Sequence, residues 1–192
     1  YRSDYIAATK LSNHDEDRAG NDLARNRDKM KLAGAVLLTA SGQPYIYQGE
    51  ELGYYGGKSN GDEFVRTPVM WKADGSGLAD KRLSGKIDKG MLTKNMSVES
   101  QAADKASVLN LYRQFGVLRD SYEALQSGSF DASGAGAGNP AIAAWYRCTS
   151  TQKILVLHNF SPAPVSLTIT NDKLDKLMEL IEKNLNKGLQ KG

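Results

Sequence analysis

The sequence predicts an α/β unit followed by a small all-β domain, and three observations carry that reading. A strand-like run, a buried-helix pattern and a second strand-like run follow one another within residues 5–48. That is the size of a βαβ crossover, whose right-handed connection makes its two strands parallel. Apolar residues then recur at helical spacing over residues 102–119, and short strand-like runs separated by turn residues begin near residue 142. Strands that follow a βα pattern without helices between them form a separate antiparallel domain, here starting near residue 128.

Residues 5–11 alternate in the manner of a strand, and the acidic, Arg-containing segment to Arg27 reads as loop. Residues 28–40 open on Asp28 and continue into a mostly apolar body, which predicts a well-buried helix. Ser41-Gly-Gln-Pro44 stops it, and Tyr45-Ile-Tyr-Gln48 is a short run of β-formers ending at Gly49-Glu50-Glu51. Neighbouring parallel strands lie ~4.8 Å apart, which would bring Asp15 and Glu50 towards one pocket. Residues 52–98 are rich in Gly, Asp, Lys and Ser and read as a long loop carrying Tyr54-Tyr-Gly-Gly57 and Arg66-Thr-Pro-Val-Met-Trp71. Loops of that length are usually functional or disordered. Their aromatic rings could stack on sugar faces, although packing within a surface loop is the plainer reading for each.

Residues 102–119 predict one long amphipathic helix with Val108, Leu109, Leu111, Tyr112, Phe115 and Leu118 on its apolar face. Gly134-Ala-Gly-Ala-Gly138 lacks the spacing and the preceding strand of a dinucleotide loop and reads as a turn or linker. Residues 142–146, 153–160 and 165–169 are the expected strands, with His158 packed inside the second. Leu174, Leu177, Met178, Ile181 and Leu185 place an amphipathic helix in the tail. Its default use is packing on the chain's own core, with a partner helix or a membrane surface as the rival.

Composition narrows the function classes. The apolar fraction is 40% and the charged fraction 24%, those of an ordinary globular protein. A net charge of +3, scattered along the chain, argues against nucleic acid. One cysteine, Cys148, excludes an internal disulfide, and two histidines with one cysteine cannot assemble a zinc spacing. No apolar run approaches the ~20 residues that cross a bilayer. The chain starts at Tyr1 with no signal-peptide pattern, so a piece of a longer protein is expected.

Chemistry points to Asn13-His14-Asp15, where the first strand gives way to a polar loop. The carboxyl ends of strands are where α/β enzymes place their sites. A ring nitrogen beside an ionised oxygen can grip a polar substrate or stabilise developing positive charge. The rival reading is a solvated acidic turn in which Asp15 or Asp17 caps the next helix.

Several motifs in order carry a resemblance. Leu11-Ser-Asn-His-Asp15-Glu-Asp-Arg18, Ala33-Gly-Ala-Val-Leu-Leu-Thr-Ala40, Gly42-Gln-Pro-Tyr-Ile-Tyr-Gln-Gly-Glu-Glu-Leu-Gly53 and Arg66-Thr-Pro-Val-Met-Trp71 together resemble the C-terminal part of an α-amylase-family glycoside hydrolase. Within that family they are most similar to the surface amylases of bacterial starch-utilisation systems. The resemblance implies the last two βα units of a TIM (β/α)8 barrel over residues 1–127. It implies a partial antiparallel β-sandwich over 128–170 and leaves 171–192 as a helical tail. It makes Asp15 the residue that stabilises the oxocarbenium-like transition state, and His14 a hydrogen-bond partner of the sugar. Asn13, Arg66, Glu50 and Tyr54 become substrate-binding residues, with Glu50 and Arg66 in supporting or subsite roles.

The activity so implied is retaining hydrolysis of internal α-1,4 bonds in starch and maltooligosaccharides. The alternative is a non-catalytic α-glucan-binding fragment, or, within the enzyme class, an α-glucosidase or debranching enzyme. A retaining glycosidase needs two carboxyl groups about 5–5.5 Å apart, and in the family both come from earlier strands. A whole barrel takes about 250 residues, so the 192-residue chain alone is expected to be inactive. No cofactor is implied in it, and calcium is left to the earlier part of the barrel. The implied partners are an α-glucan and the remainder of its own barrel, as a separate chain or a symmetry mate. The implied location is extracytoplasmic, at the cell surface or in the periplasm.

Overall fold

The computed structural model describes residues 5–76, 87, 89–132 and 139–167. The chain divides into two compact units, Tyr1–Arg119 and Asp120–Gly192.

In the first unit β1 (Ala8–Lys10) leads through a one-turn helix α1 (Ala19–Asp22) and the long helix α2 (Arg27–Thr39) to β2 (Gln43–Tyr45). The two strands pair in parallel, with Ala8 opposite Gln43 and Lys10 opposite Tyr45, as the crossover reading requires. Asn26 starts α2 by accepting from the backbone N–H groups of Asp28 (2.9 Å) and Lys29 (3.0 Å). Met30, Gly34, Leu37 and Leu38 of α2 are buried, the stripe that a helix presents to a core. In and beside the strands, Tyr5, Ile6, Tyr45 and Ile46 remain exposed.

The second strand is shorter and earlier than the β-forming run at 45–48 predicts. Gly49 takes a left-handed φ of 86° and opens a 3₁₀ turn at Glu50–Leu52, so the chain bends where its side chains favour extension. Only glycine takes that φ without cost.

Residues 52–98, expected as loop, contain short structured turns: 3₁₀ turns at Lys58–Asn60, Lys89–Leu92 and Lys94–Met96, and the helix α3 (Asp62–Val65). This segment supplies much of a core. Leu52, Tyr54, Tyr55, Met70, Met91 and Met96 pack with Leu109.

The single helix expected at 102–119 is two, α4 (Val98–Ala103) and α5 (Val108–Ser121). The break is built from polar residues that periodicity ignores. Ser107 Oγ accepts from Asn110 N (3.0 Å), and Asn110 Nδ2 donates to the carbonyls of Gln101, Ala102 and Asp104. At the far end, Arg119 crosses to α2. Its guanidinium donates to the carbonyls of Leu38 (3.0 Å), Ala40 (3.1 Å) and Gly42 (2.6 Å), which a helix C-terminus otherwise leaves open.

The second unit begins with α6 (Glu123–Gln126) and continues as an antiparallel sheet in the order β3 (Ser129–Asp131), β4 (Ile142–Cys148), β5 (Lys153–Asn159). Trp145 lies opposite Val156 and Ala143 opposite His158. Trp145, Arg147, Ile154, Val156 and His158 therefore share one face, and all five are buried. His158 packs against Trp145 with ring centroids 5.0 Å apart and planes tilted by 42°, and burial pushes its pKa down to about 4. β3 was not expected from its sequence, since three residues are too short to show alternation. The third expected strand is not formed over residues 165–167. Its remainder and the tail helix at 171–192 lie outside the described residues. Among the described residues this unit holds one sheet and no second sheet facing it.

Candidate active site

Beyond β1 the chain turns out to solvent through Asn13. Its Oδ1 accepts from Asp15 N (2.8 Å) and its Nδ2 donates to Glu16 Oε1 (3.0 Å), while Lys10 Nζ pairs with the same oxygen at 2.6 Å. This side-chain turn projects His14 and Asp15 outward, with side chains 61% and 62% exposed. His14 Nε2 lies 3.1 Å from Asp15 Oδ2. The other carboxylate oxygen faces Arg66 Nη2 at 3.2 Å and Lys58 Nζ at 3.7 Å. Arg66 also donates from Nε to the His14 carbonyl (3.3 Å). Asp62 pairs with both cations, at 2.8 Å to Arg66 Nη2 and through Oδ1 to Lys58 Nζ. Two carboxylates and two cations thus close a ring over 51 residues of sequence separation.

The segment is a solvated acidic turn, as the rival reading has it, but neither Asp15 nor Asp17 caps α1, which has no side-chain cap. Asp17 accepts instead from Lys58 N (2.6 Å) and Asn21 Nδ2 (2.9 Å), which ties the segment that carries Lys58 to the end of β1. Lys58 and Asp62 were missed in the sequence. Their signal was the four-residue spacing Lys58, Asp62, Arg66, the spacing of ion pairs on a helical turn, hidden inside a stretch read as loop.

Glu50 and Tyr54 stand elsewhere. Each is 2% exposed, buried in this chain where the side chain of Asp15 is 62% exposed. Glu50 Oε1 accepts from Tyr112 Oη (3.0 Å), and Ser12 also bonds its carboxyl. Burial, reinforced by neighbouring Glu51, raises Glu50 to about 7, against the pull of Tyr112, Ser12 and Arg18. Tyr54 Oη accepts from Met70 N (2.8 Å). The strands do pair, but Glu50 turns inward while Asp15 turns outward. Among the described residues no group of three or more His, Cys, Asp or Glu side chains is arranged to hold a metal ion.

Two parallel strands joined through a helix, with an exposed carboxylate cluster beyond the carboxyl end of one of them, have the layout of an α/β enzyme. Residues 1–128 match the family described as the α-amylase catalytic domain, and residues 142–190 match the C-terminal domain of the α-amylase SusG. The chain belongs to the α-amylase family.

It is 46% identical over 187 residues to α-amylase SusG of Bacteroides thetaiotaomicron, a match covering 93% of this chain and 26% of that protein. It is 29% identical to α-amylase 3 of Dictyoglomus thermophilum, covering 91% of this chain and 34% of the relative. Among solved structures, an α-amylase from H. orenii superposes with a TM-score of 0.72 at 30% identity, over 86% of this chain and 32% of that one. The chain therefore spans about a quarter to a third of the length of the relatives it matches.

Proposed function

We propose that this chain is the C-terminal portion of a retaining hydrolase of internal α-1,4 bonds in starch and maltooligosaccharides. In this reading β1 and β2 are the seventh and eighth strands of a TIM barrel that residues 1–127 help to build. Residues 128–170 form the sandwich domain and 171–192 its tail. The observation that carries it is the exposed Asp15 carboxylate beyond the end of a parallel strand, oriented by His14 and Arg66.

As the scissile bond of a glycoside lengthens, positive charge develops on the ring oxygen and anomeric carbon. A carboxylate already fixed by its neighbours stabilises that charge without reorganising, the mirror image of an oxyanion hole. His14, Asn13 and Arg66 supply donors and acceptors for sugar hydroxyls, and Glu50 and Tyr54 hold the scaffold beneath. The nucleophile and general acid belong to strands outside the chain, so the chain alone has no hydrolytic pair. The relatives' names support an α-glucan as substrate, and the resemblance to surface amylases of bacterial starch-utilisation systems favours an extracytoplasmic enzyme.

In the complete enzyme, Asp15→Asn is expected to lower turnover of soluble starch about a hundredfold to a thousandfold with a nearly unchanged melting temperature, because the side chain is exposed. Near-normal turnover would remove Asp15 from the mechanism. The isolated chain is expected to release no reducing sugar. Starch binding by the complete protein with no hydrolysis at all would favour a non-catalytic glucan-binding role.

A further inference from the structure

Arg66 reaches Asp15 from a stretch with little secondary structure of its own, one residue beyond α3 and two before Pro68. What holds that stretch comes from the end of the second strand. Tyr47 Oη donates to the carbonyl of Val65 (3.0 Å), and Gln48 Nε2 donates to the carbonyl of Thr67 (2.8 Å). The carbonyls on both sides of Arg66 are thus held by two consecutive side chains. A third bond, from Thr67 Oγ1 to the Phe64 carbonyl (3.1 Å), tightens the same turn.

The two holding residues are themselves fixed from below. Arg18, only 1% exposed, donates from Nη1 to the Gln48 carbonyl (2.8 Å) and lies 4.6 Å from the centroid of the Tyr47 ring. Its own backbone N–H donates to Gly56 O (3.0 Å). Through its side chain and its backbone N–H, Arg18 therefore links the base of the Tyr47–Gln48 segment to the segment that leads into Lys58 and α3.

We infer that Tyr47 and Gln48 are positioning residues for the reaction: by clamping the Val65 and Thr67 carbonyls they set the Arg66 guanidinium against Asp15 Oδ1 and the His14 carbonyl. The inference rests on the proposed role of Asp15. Neither side chain touches the reacting atoms in this account. Each acts through Arg66, and misplacing a charged group by an ångström at a site of this kind is enough to slow a reaction markedly.

The test is a double-mutant cycle in the complete enzyme, with kcat and KM measured on a soluble maltooligosaccharide. Tyr47→Phe and Gln48→Met each remove one donor while keeping the bulk of the side chain. Each is expected to lower kcat/KM about three- to tenfold, the loss of one modest hydrogen bond, mainly through kcat. In an Arg66→Ala background the same changes are expected to cost almost nothing more, because the group they position is gone. Equal fold-losses in both backgrounds would overturn the inference, as would unchanged kinetics in the wild-type background. A role confined to loop stability would lower the melting temperature without that coupling. Asp15→Asn, measured alongside, separates the two claims. If it is crippled while the clamp losses are independent of Arg66, only the clamp fails. If Asp15→Asn is nearly as active as wild type, the reading beneath the clamp fails with it.

Discussion

Gly34 lies in the interior of α2, where helix propensity alone favours alanine by about 1 kcal/mol. A Cβ at this position would come within 2.4 Å of Tyr112 Cε2 and 2.7 Å of its Cζ. The Tyr112 ring is buried and its hydroxyl is committed to Glu50, so it retreats only by giving up that bond. Overpacking a filled site costs about 1–3 kcal/mol. Gly34→Ala should therefore destabilise the protein by up to about 2 kcal/mol, read as a lowered melting temperature. A raised one would show that the ring has room.

The acceptor of the same bond titrates. Glu50 has a folded pKa of about 7 against an ordinary 4.5, so between those values the folded state holds a proton that the unfolded state releases. Its protonated form is fully accommodated below about pH 4.5, and stability falls as pH rises through the window to about 7. The whole effect is at most about 3 kcal/mol. Glu50→Gln keeps the neutral shape and should flatten the decline in melting temperature between pH 4.5 and 7.5. A decline of undiminished slope in the variant would place its cause in another group.

Among the elements, the end of α2 is tied to α5 by one polar residue. Arg119 closes three carbonyls at the end of α2, and its planar fork does so from a single side chain. Arg119→Met should cost about 2–3 kcal/mol and speed hydrogen exchange at the Ala40 amide, which closes the last turn of α2 onto Val36 O at 2.9 Å. Arg119→Lys should recover only part of the loss, because one ammonium cannot span the three acceptors. Exchange at Ala40 as slow in Arg119→Met as in wild type would assign the cap elsewhere.

No sequence pattern announces such a residue. Helix α2, the parallel pair and the hairpin of β4 and β5 were legible because each repeats an apolar period over several residues. The split between α4 and α5 was not, because Ser107 and Asn110 make it with polar side chains inside an apolar rhythm that continues across the gap. Gly49 moved the second strand by a single left-handed residue. At the site, Asn13, His14 and Asp15 were legible from residue type and position, and Arg66 from the resemblance. Lys58 and Asp62 join them only through the fold of a segment whose composition reads as loop, and Glu50 and Tyr54 look like surface groups until their burial is known.

Over the whole molecule, one buried group in each unit responds to acid in the opposite sense to the other. In the first unit, the contribution of Glu50 is lost as it gives up its proton on going to neutral pH. The second contains His158, which burial holds at about 4 against an ordinary 6.5. Its contribution is complete above pH 6.5 and is lost as pH falls to about 4, because the unfolded imidazole takes up a proton that the folded one refuses. His158→Leu should therefore make the second unit less sensitive to acid, seen as slower growth of its amide exchange between pH 6.5 and 4.5. An unchanged acid response would move the effect to another group.

The β1–β2 pair carries a consequence of a different kind. A closed barrel has no strand edges, whereas a two-stranded ribbon has two, and this one also shows Tyr5, Ile6, Tyr45 and Ile46 to solvent. Exposed edges flanked by apolar side chains recruit further strands from whatever chain is near. Released from the strands that would flank it, this segment would meet the cell as an orphan subunit does, held by chaperones or handed to proteases. The continuity of the polypeptide would then be a matter of survival as well as of catalysis.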